Sequence, residues 1–270
     1  FLTRFNDEVY SIDFDNIDMK FYNDFVQFSE NQKFTKNYIG KLIQTLKVFL
    51  NNATYDKVNS NMDFKNPRFK VLKEKADNIY LNLNELNEIY KLDLTKHPKL
   101  DQARDLFLIG AYTGLRVSDF NYLKEDNIFK DKDDYFLKVK TKKTEKEVVI
   151  PLRKEVISIF KKHGNKPPKR MPDQHINYKI KEVCLNAGID ESIITKQTRG
   201  GKEITTKTLK YEMVKTHTAR RSFCTNAYLD GIDAHLIMQI SGHKTEKAFK
   251  RYLKLSSYEA AQKMKEAWGI

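Results

Sequence analysis

The fold of this chain is decided by THTARR at residues 216–221, close to the C-terminal end of its 270 residues. His217 and Arg220 are three positions apart in this segment, so a helix would present both on the same face. The triplet SGH at 241–243 supplies a second histidine behind a glycine, and Tyr252 follows nine residues later. These segments predict a helical region that brings cationic, proton-carrying and nucleophilic side chains together.

A second set of candidate functional residues lies upstream. The segment TGLRVSD at 113–119 places Arg116 just behind a glycine turn. Lys143 and Thr144 occupy a polar, lysine-rich turn ahead of the β-forming segment VVIPL at 148–152. Arginines neutralise phosphate oxygens, histidine and lysine handle protons and hydrogen bonds, and a tyrosine can act as a nucleophile. Together the two sets indicate attack on a phosphodiester.

The order and spacing of these motifs resemble the tyrosine recombinase (phage integrase) family. The resemblance covers nearly the whole chain, and its motifs span residues 113–252. An HxxR or GH motif alone occurs by chance in many proteins, but the full set in the right order is specific. Within the family, the chain resembles most the integrases of conjugative transposons and Bacteroides-type elements.

For the arginines, the resemblance implies that Arg116 and Arg220 bind the non-bridging oxygens of the scissile phosphate. The HxxR spacing selects Arg220 over its neighbour Arg221. Asp119 stands where the wider family most often has glutamate, and we expect it to position a catalytic basic residue. An ion pair between Arg116 and Asp119 is the alternative, purely structural role.

For the other catalytic candidates, the resemblance implies hydrogen bonding to phosphate and acid–base help from His217. His243 is expected to donate a hydrogen bond to a phosphate oxygen. Tyr252 is the expected nucleophile because it follows the Gly-His pair by nine residues and has basic neighbours. Tyr258, the next tyrosine, is expected to belong to the tail helix.

Lys143 is the expected general acid that protonates the leaving 5′ oxygen. The KT pair, the short gap and the strand that follows resemble the family pattern. Lys140, Lys142 and Lys146 lie close by and compete for the same role.

The implied function is site-specific DNA recombination through a 3′-phosphotyrosine intermediate, which integrates or excises a mobile element. The resemblance implies double-stranded DNA as the partner, a homotetramer acting on two duplexes, and no ATP, metal or other cofactor. A type IB topoisomerase-like enzyme shares this chemistry, and a DNA-binding protein without catalysis is a rival of another class. Exchange between two defined sites would separate recombination from relaxation of any supercoil.

Composition fits a polyanionic partner. The formal net charge is +13, and residues 138–170 hold 12 Lys/Arg against 3 Asp/Glu. Residues 1–75 are nearly balanced, with 12 Lys/Arg and 10 Asp/Glu. No apolar run approaches the roughly 20 residues of a membrane span. The isolated Cys184 and Cys224 favour a reducing compartment over a disulfide or zinc site. The family resemblance implies a cytoplasmic, nucleoid-associated bacterial protein.

The expected fold is mainly α with a small antiparallel β-sheet, and the family resemblance implies a two-domain DNA clamp. Residues 1–65 are predicted to form a helical domain, which the resemblance makes a core-type DNA-binding domain, 66–79 a linker, and 80–270 an α+β catalytic domain with a C-terminal tail helix. Apolar residues at helical spacing predict a helix over 15–30. A second helix is predicted to begin after Thr35, with a buried stripe that includes Phe49.

Several basic residues outside the catalytic set are candidates for DNA contact. Their alternative is an ordinary solvated surface. They are Lys36, Lys41 and Lys47 in the first domain, and Lys140, Lys142 and Arg221 in the second.

The last segment, 256–268, has capping-box spacing from Ser256 to Glu259, so a tail helix is predicted. Its apolar face would carry Met264 and Trp268. The tail can pack on its own domain, or, as the family resemblance implies, on a neighbouring protomer.

Overall fold

A computed structural model describes residues 1–269 and confirms a mainly α-helical chain with small antiparallel sheets. The chain divides into two compact units. The first contains residues 1–77 and 194–207, and the second contains residues 78–193 and everything described after 207. The predicted catalytic candidates all lie in the second unit.

The first unit is a small helical bundle around an aromatic core. Its helices are α1 (Leu2–Glu8), α2 (Met19–Asn31) and α3 (Lys36–Tyr55). The side chain of Thr35 accepts a hydrogen bond from the Tyr38 amide, which confirms the predicted cap of α3. Ile17, Phe21, Phe25 and Phe28 are buried as their spacing predicts.

Two expectations for the first unit are wrong at single residues. Phe49 is 67% exposed, because the buried stripe of α3 runs through Ile43, Leu46 and Leu50 and leaves Phe49 outside it. Phe69, which falls in the predicted linker, is 1% exposed and packs in the aromatic core of this unit. An aromatic side chain of that size stabilises a bundle through buried apolar area, so the polar sequence around it conceals a core position.

A β-hairpin formed by β4 (Ser192–Arg199) and β5 (Lys202–Leu209) contributes residues 194–207 to the first unit. The Gly200 amide donates to the Phe34 carbonyl at 3.0 Å, and the Thr198 amide donates to the Glu74 carboxylate. The hairpin turn is made by Gly200 and Gly201, both at positive φ. The bounds predicted for the catalytic domain, 80–270, include this segment, whereas the structure groups 194–207 with the first unit.

The second unit combines helices with a three-stranded sheet. Its helices are α4 (Leu83–Lys91), α5 (Pro98–Thr113), α6 (Val117–Phe120), α7 (Lys154–Lys162), α8 (Asp173–Asn186), α9 (Lys210–Met213), α10 (Thr216–Leu229), α11 (Ala234–Ser241), α12 (Glu246–Lys250) and α13 (Ser257–Trp268). The strands β1 (Ile128–Asp131), β2 (Asp134–Lys140) and β3 (Glu147–Pro151) are antiparallel in that order. Val139 lies opposite Val148, which leaves 141–146 as the turn that carries Lys143.

Helix α5 is the centre of the second unit. From Ala103 to Thr113 each of its side chains is buried, and it packs against α8 and α10. It ends at Gly114, whose φ of +69° places it in the left-handed region. A Cβ at Gly114 would lie 2.4 Å from the ring of Phe223 on α10. The close approach of these two helices therefore depends on glycine at this turn. The turn also sets the position of Arg116, two residues later.

The tail helix α13 lies on its own unit through polar contacts. Ser256 and Glu259 form the predicted capping box. Glu259 also accepts a hydrogen bond from the Tyr80 hydroxyl, and the Lys263 ammonium donates to the Leu229 carbonyl at 2.9 Å. The apolar side of the helix is left in solvent, with Trp268 65% exposed.

Candidate active site

Helix α10 fixes two of the predicted catalytic residues. Arg220 is 1% exposed, and its guanidinium donates to the Gly114 carbonyl at 2.6 Å. His217, one turn earlier, is exposed at the mouth of the site. The spacing in THTARR thus places the arginine inside the protein and the histidine at its edge.

The glycine turn after α5 positions Arg116 beside this pair. Arg116 is the N-cap residue of α6 and is half-buried. Its Nη1, like Nε of Arg220, is buried and has no hydrogen-bond partner in the described part of the chain. A buried N–H without an acceptor costs about 1–3 kcal/mol, more for a charged group, so these two donors are suited to an anion from outside the protein.

Asp119 holds the neighbouring turn and does not pair with Arg116. Its Oδ1 accepts a hydrogen bond from the Lys142 amide at 2.9 Å, which is the residue before Lys143. Among residues 1–269 there is no ion pair between Arg116 and Asp119. Asp119 therefore anchors the backbone of the turn that carries Lys143, and its positioning role in catalysis stays a prediction.

His243 is brought to Arg220 by the turn that ends α11. Gly242 adopts φ +66°, and His243 is 7% exposed behind it. Both ring nitrogens lie 3.2–3.3 Å from Nη2 of Arg220, and Nδ1 lies 2.7 Å from the Ser241 hydroxyl. Burial, followed by the charges of Arg220 and Arg116, lowers the pKa of His243 to about 3, so the ring is neutral at physiological pH.

Tyr252 completes the cluster from the turn after α12. Its hydroxyl oxygen lies 2.7 Å from Nε2 of His217. Its ring packs at 4.5 Å from the His243 ring, and the Arg220 guanidinium lies 5.4 Å from its centroid. Among the candidates, His217, Arg220, His243 and Tyr252 are therefore in direct contact with one another.

The cations around His217 determine its protonation. Although His217 as a whole residue is exposed, its ring packs against the Tyr252 ring, with 5.1 Å between the ring centroids. Loss of solvation at the ring is the largest effect on its pKa, and the charges of Arg221, Arg220, Arg116 and Lys143 add to it. Together they lower the pKa of His217 to about 4. The imidazole is neutral near pH 7, so Nε2 can accept the phenolic proton of Tyr252.

The remaining basic candidates in the second unit have distinct environments. Lys143 and Lys140 are exposed on the β2–β3 turn and at the end of β2. The Lys142 ammonium lies 3.4 Å from the centroid of the Tyr122 ring. Arg221 is half-buried at the site, where burial lowers its pKa. It is therefore part of the electrostatic surroundings of His217 and not only a residue beside the motif.

The lysines of the first unit differ from one another. Lys41 is exposed and Lys36 is half-buried. The Lys47 ammonium donates to the Phe69 carbonyl at 2.7 Å and lies 5.3 Å from the Phe69 ring. The Lys47 ammonium is thus bound to Phe69 of its own unit. The position of Lys47 outside the apolar stripe of α3 does not predict this contact.

Two participants were not singled out by the sequence analysis. Ser241 contacts His243, and it could have been noticed because it opens the SGH triplet. Gly114 accepts the Arg220 hydrogen bond through its carbonyl, a backbone role that no side-chain pattern signals.

Other kinds of site are not formed by the part of the chain that the structure describes. Within residues 1–269, no group of three or more His, Cys, Asp or Glu side chains is placed to hold a metal ion. Cys184 and Cys224 are buried free thiols. None of the described helices has the length and apolar character to cross a membrane.

Solved structures share this fold. The chain is similar to the Tn1549 transposon integrase in complex with circular intermediate DNA, with a TM-score of 0.65 and 15% identity, over 97% of this chain and 89% of that one. It is also similar to a lambda integrase dimer bound to a COC′ core site, with a TM-score of 0.59 and 14% identity, over 80% of this chain and 72% of that one. At sequence identities this low, the structural similarity shows a common fold and nothing more.

Sequence relatives extend the likeness. The chain is 27% identical over 154 residues to transposase B from transposon PsiTn554 of Staphylococcus aureus, over 54% of this chain and 23% of that relative. Transposase B from Tn554 of Staphylococcus aureus strain N315 is 26% identical over 154 residues, which are 54% of this chain and 23% of that relative. The chain spans about a quarter of the length of these curated relatives. The phage integrase family matches residues 79–259, more than half of the chain, and the chain belongs to that family.

Proposed function

We propose that this protein is a site-specific DNA recombinase that breaks and rejoins strands through a 3′-phosphotyrosine intermediate. The observation that carries the proposal is the 2.7 Å contact between the Tyr252 hydroxyl and Nε2 of His217, next to buried arginine donors. A nucleophile hydrogen-bonded to a neutral base, beside groups that bind an anion, is the arrangement that phosphoryl transfer requires.

In the proposed cleavage step, Oη of Tyr252 attacks the phosphorus of the scissile phosphodiester. The phenolic proton passes to Nε2 of His217 as the new O–P bond forms. The bond from phosphorus to the 5′ oxygen breaks, and the Lys143 ammonium donates a proton to that oxygen. The products are a 3′-phosphotyrosine and a free 5′ hydroxyl, so atoms and charges balance without an added reactant.

The rejoining step reverses these transfers. The 5′ hydroxyl of the partner duplex attacks the phosphotyrosine, loses its proton to Lys143, and displaces the Tyr252 oxygen. His217 returns the proton to the phenol. The phosphodiester energy is kept in the covalent intermediate, and the proposed reaction therefore uses neither ATP nor metal.

The two arginines stabilise the charge that develops on phosphorus. Nη1 of Arg116 and Nε of Arg220 are buried and have no hydrogen-bond partner among residues 1–269, and a backbone carbonyl and His243 hold Arg220 in place. One preorganised donor of this kind is typically worth about 3–4 kcal/mol of transition-state stabilisation. His243 supports Arg220 in this arrangement and adds a hydrogen-bonding ring to the pocket.

The relatives favour a mobile element as the context. Two of them carry the name transposase B and belong to transposons, and the Tn1549 integrase was solved with circular intermediate DNA. We propose that this chain likewise integrates or excises such an element, in the cytoplasm of a bacterium and at its nucleoid. Its net charge of +13 supports double-stranded DNA as the partner.

Assembly on DNA is the remaining part of the proposal. We assign DNA contact outside the catalytic pocket to residues 1–65, and strand exchange to residues 80–270 acting in a homotetramer on two duplexes. The exposed apolar side of α13, with Met264 and Trp268, supports a tail that packs on a neighbouring protomer. Its contacts within its own unit are polar, through Tyr80 and Lys263, and can be exchanged for that interface.

A trapped covalent complex tests the proposal. Sheared genomic DNA of the host is incubated with the protein, and denaturant-resistant adducts are sequenced at the attached end to define the site. A nicked suicide duplex of that site should then form an adduct with wild-type protein and with Tyr258→Phe, but not with Tyr252→Phe. Tyr258 is the matched control because it is the next tyrosine along the chain and is 71% exposed. An adduct of normal yield with Tyr252→Phe would contradict the proposal.

A further inference from the structure

A tyrosine ring on the surface of the second unit is contacted by two cations. The ammonium of Lys142 lies 3.4 Å from the centroid of the Tyr122 ring, and the guanidinium carbon of Arg170 lies 4.4 Å from it. Tyr122 itself is 39% exposed. A cation over an aromatic face is held mainly by the ring quadrupole, and the contact leaves its hydrogen-bond donors free to bind elsewhere.

Buried polar side chains fix both cation-bearing segments. Asp119, which is 4% exposed, accepts the Lys142 amide hydrogen at 2.9 Å. Asn121, which is 3% exposed, donates to the Met171 carbonyl at 2.7 Å and accepts from the Met171 amide at 3.1 Å. Met171 directly follows Arg170, so its backbone clamp places the arginine. Asn121 and Asp119, one and three residues before Tyr122, thus bring the two cations together.

Within residues 1–269, neither Lys142 nor Arg170 forms an ion pair with an acidic side chain. The two distances to the ring place the ammonium nitrogen and the guanidinium carbon within about 8 Å of each other. A separation of no more than about one Debye length means that salt screens the two charges only partly, so they repel each other. The buried hydrogen bonds of Asp119 and Asn121 hold the two segments together despite this repulsion.

We propose that Tyr122, Lys142 and Arg170 form a second phosphate-binding site, which takes one backbone phosphate of the DNA duplex away from the scissile bond. The inference rests on the proposed function for its ligand, because a DNA duplex at the catalytic cluster brings further phosphates past the β2–β3 turn. In this site Lys142 and Arg170 each donate to the same phosphate, and their contacts with the Tyr122 ring keep the two cations close to one another. A phosphate held here also restrains the turn next to Lys143.

The test measures the salt dependence of duplex binding by the full chain. The probe is a fluorescently labelled random-sequence DNA duplex, titrated at several salt concentrations. The slope of log K against log salt should fall by about 0.9 in Lys142→Gln/Arg170→Gln, the value for one lost phosphate contact. Each single substitution should lower it by less, because the remaining cation still binds the phosphate.

The controls separate this site from general loss of charge. Lys138→Gln removes a lysine from β2 whose ammonium is already paired with Glu147 at 3.1 Å, and it should leave the slope unchanged. Tyr122→Phe keeps the ring and should bind like wild type. Tyr122→Leu removes the ring and should lower the slope toward that of the double variant, and circular dichroism checks that it is folded.

The outcomes distinguish this inference from the proposed function. An unchanged slope in the double variant, or a fall equal to two independent contacts, overturns the single-phosphate site. If wild-type protein forms the covalent adduct while the slope is unchanged, the inference fails and the recombinase proposal stands. If the slope falls as expected but no adduct forms, the phosphate site stands and the recombinase proposal fails.

Discussion

The hydroxyl oxygen of Tyr252 lies 2.7 Å from Nε2 of His217, although the two residues come from different elements and are 35 positions apart. This contact joins helix α10 to the turn after α12. It gives the phenol a defined acceptor for its proton and fixes the direction from which the oxygen can attack. Substitution at His217 should therefore affect chemistry more than binding.

His217→Gln is expected to slow adduct formation about 10²–10⁴-fold, because glutamine keeps a hydrogen bond but cannot take the proton. Duplex affinity should change by only a few-fold. Single-turnover cleavage of the suicide substrate measures the first quantity and fluorescence titration the second. His235→Gln on α11 is the control, since that histidine is exposed and lies outside the cluster. Equal cleavage rates in the two variants would show that His217 is not the base.

Lys143→Ala should lose cleavage when the leaving group is an ordinary 5′ oxygen. A substrate with sulfur in the bridging 5′ position should restore most of the rate, because a thiolate leaves without being protonated. Single-turnover rates on both substrates give the comparison. Lys146→Ala, in the same turn, should cleave the oxygen substrate normally. If Lys146→Ala instead lost cleavage of the oxygen substrate and regained it with the sulfur substrate, Lys146 would be the general acid.

The two histidines should make the free protein less stable in acid. Their pKa values are lowered from about 6.5 to about 4 for His217 and to about 3 for His243, so the unfolded chain binds more protons in that range. The free energy of unfolding is therefore expected to fall as pH drops from about 6.5 to about 4, and to continue falling toward 3. For the buried His243 the slope is at most about 1.4 kcal/mol per pH unit.

Urea unfolding across this pH range measures the effect. His243→Gln should flatten the decline, whereas His235→Gln should leave it as in wild type. A decline of the same steepness in His243→Gln would assign the acid sensitivity to other groups.

Gly114→Ala should destabilise the protein beyond the cost of its backbone conformation. The new Cβ would lie 2.4 Å from the Phe223 ring, and it would displace the carbonyl that receives the Arg220 hydrogen bond. Gly188→Ala is the matched control, because Gly188 has φ +74° and nothing within 4 Å of an added Cβ. We expect about 1 kcal/mol for the control and at least twice that for Gly114→Ala, with lower cleavage in the latter. Equal losses of stability in Gly114→Ala and Gly188→Ala would mean that the Phe223 ring moves away from the new Cβ at no cost.

A buried ion network away from the site should dominate the stability of the second unit. Asp105 is fully buried and contacts Arg104 at 3.1 Å, His163 at 2.8 Å and the Lys162 ammonium. Asp105→Asn removes the buried charge that faces Arg104, Lys162 and His163, while Arg104 and Lys162 keep their contacts with Asp101. We therefore expect a loss of about 1–3 kcal/mol in urea unfolding. Asp133→Asn, which breaks the exposed pair with Lys130, should cost less than about 1 kcal/mol. A loss below about 1 kcal/mol in Asp105→Asn would show that Asp101 alone is sufficient for Arg104 and Lys162.

Local sequence rules were sufficient for several helix ends. The Thr35 cap, the Ser256–Glu259 capping box and the glycine that ends α5 all have their expected geometry, because each depends on residues a few positions apart. Strand β1 was missed, since IFKD is short and half polar. The exposed Phe49 was misassigned because an apolar residue at helical spacing need not meet a partner.

Long-range relationships could not be derived in the same way. The spacing of THTARR indicates that His217 and Arg220 share a face, but not that Arg220 is sealed against Gly114 and His243. The stack on Tyr122 joins three segments that are distant in the chain. Such contacts depend on how helices and strands pack, and no single segment contains that information.

The central claim is that Tyr252 forms the covalent bond to DNA, and peptide mapping of the trapped adduct tests it most directly. The adduct is digested with nuclease and protease, and tandem mass spectrometry locates the residue that retains a nucleotide. The account predicts a nucleotide phosphate on the Tyr252 side chain in the peptide that follows Arg251. A nucleotide on any other residue, or none on a chain shown to cleave DNA, would contradict it.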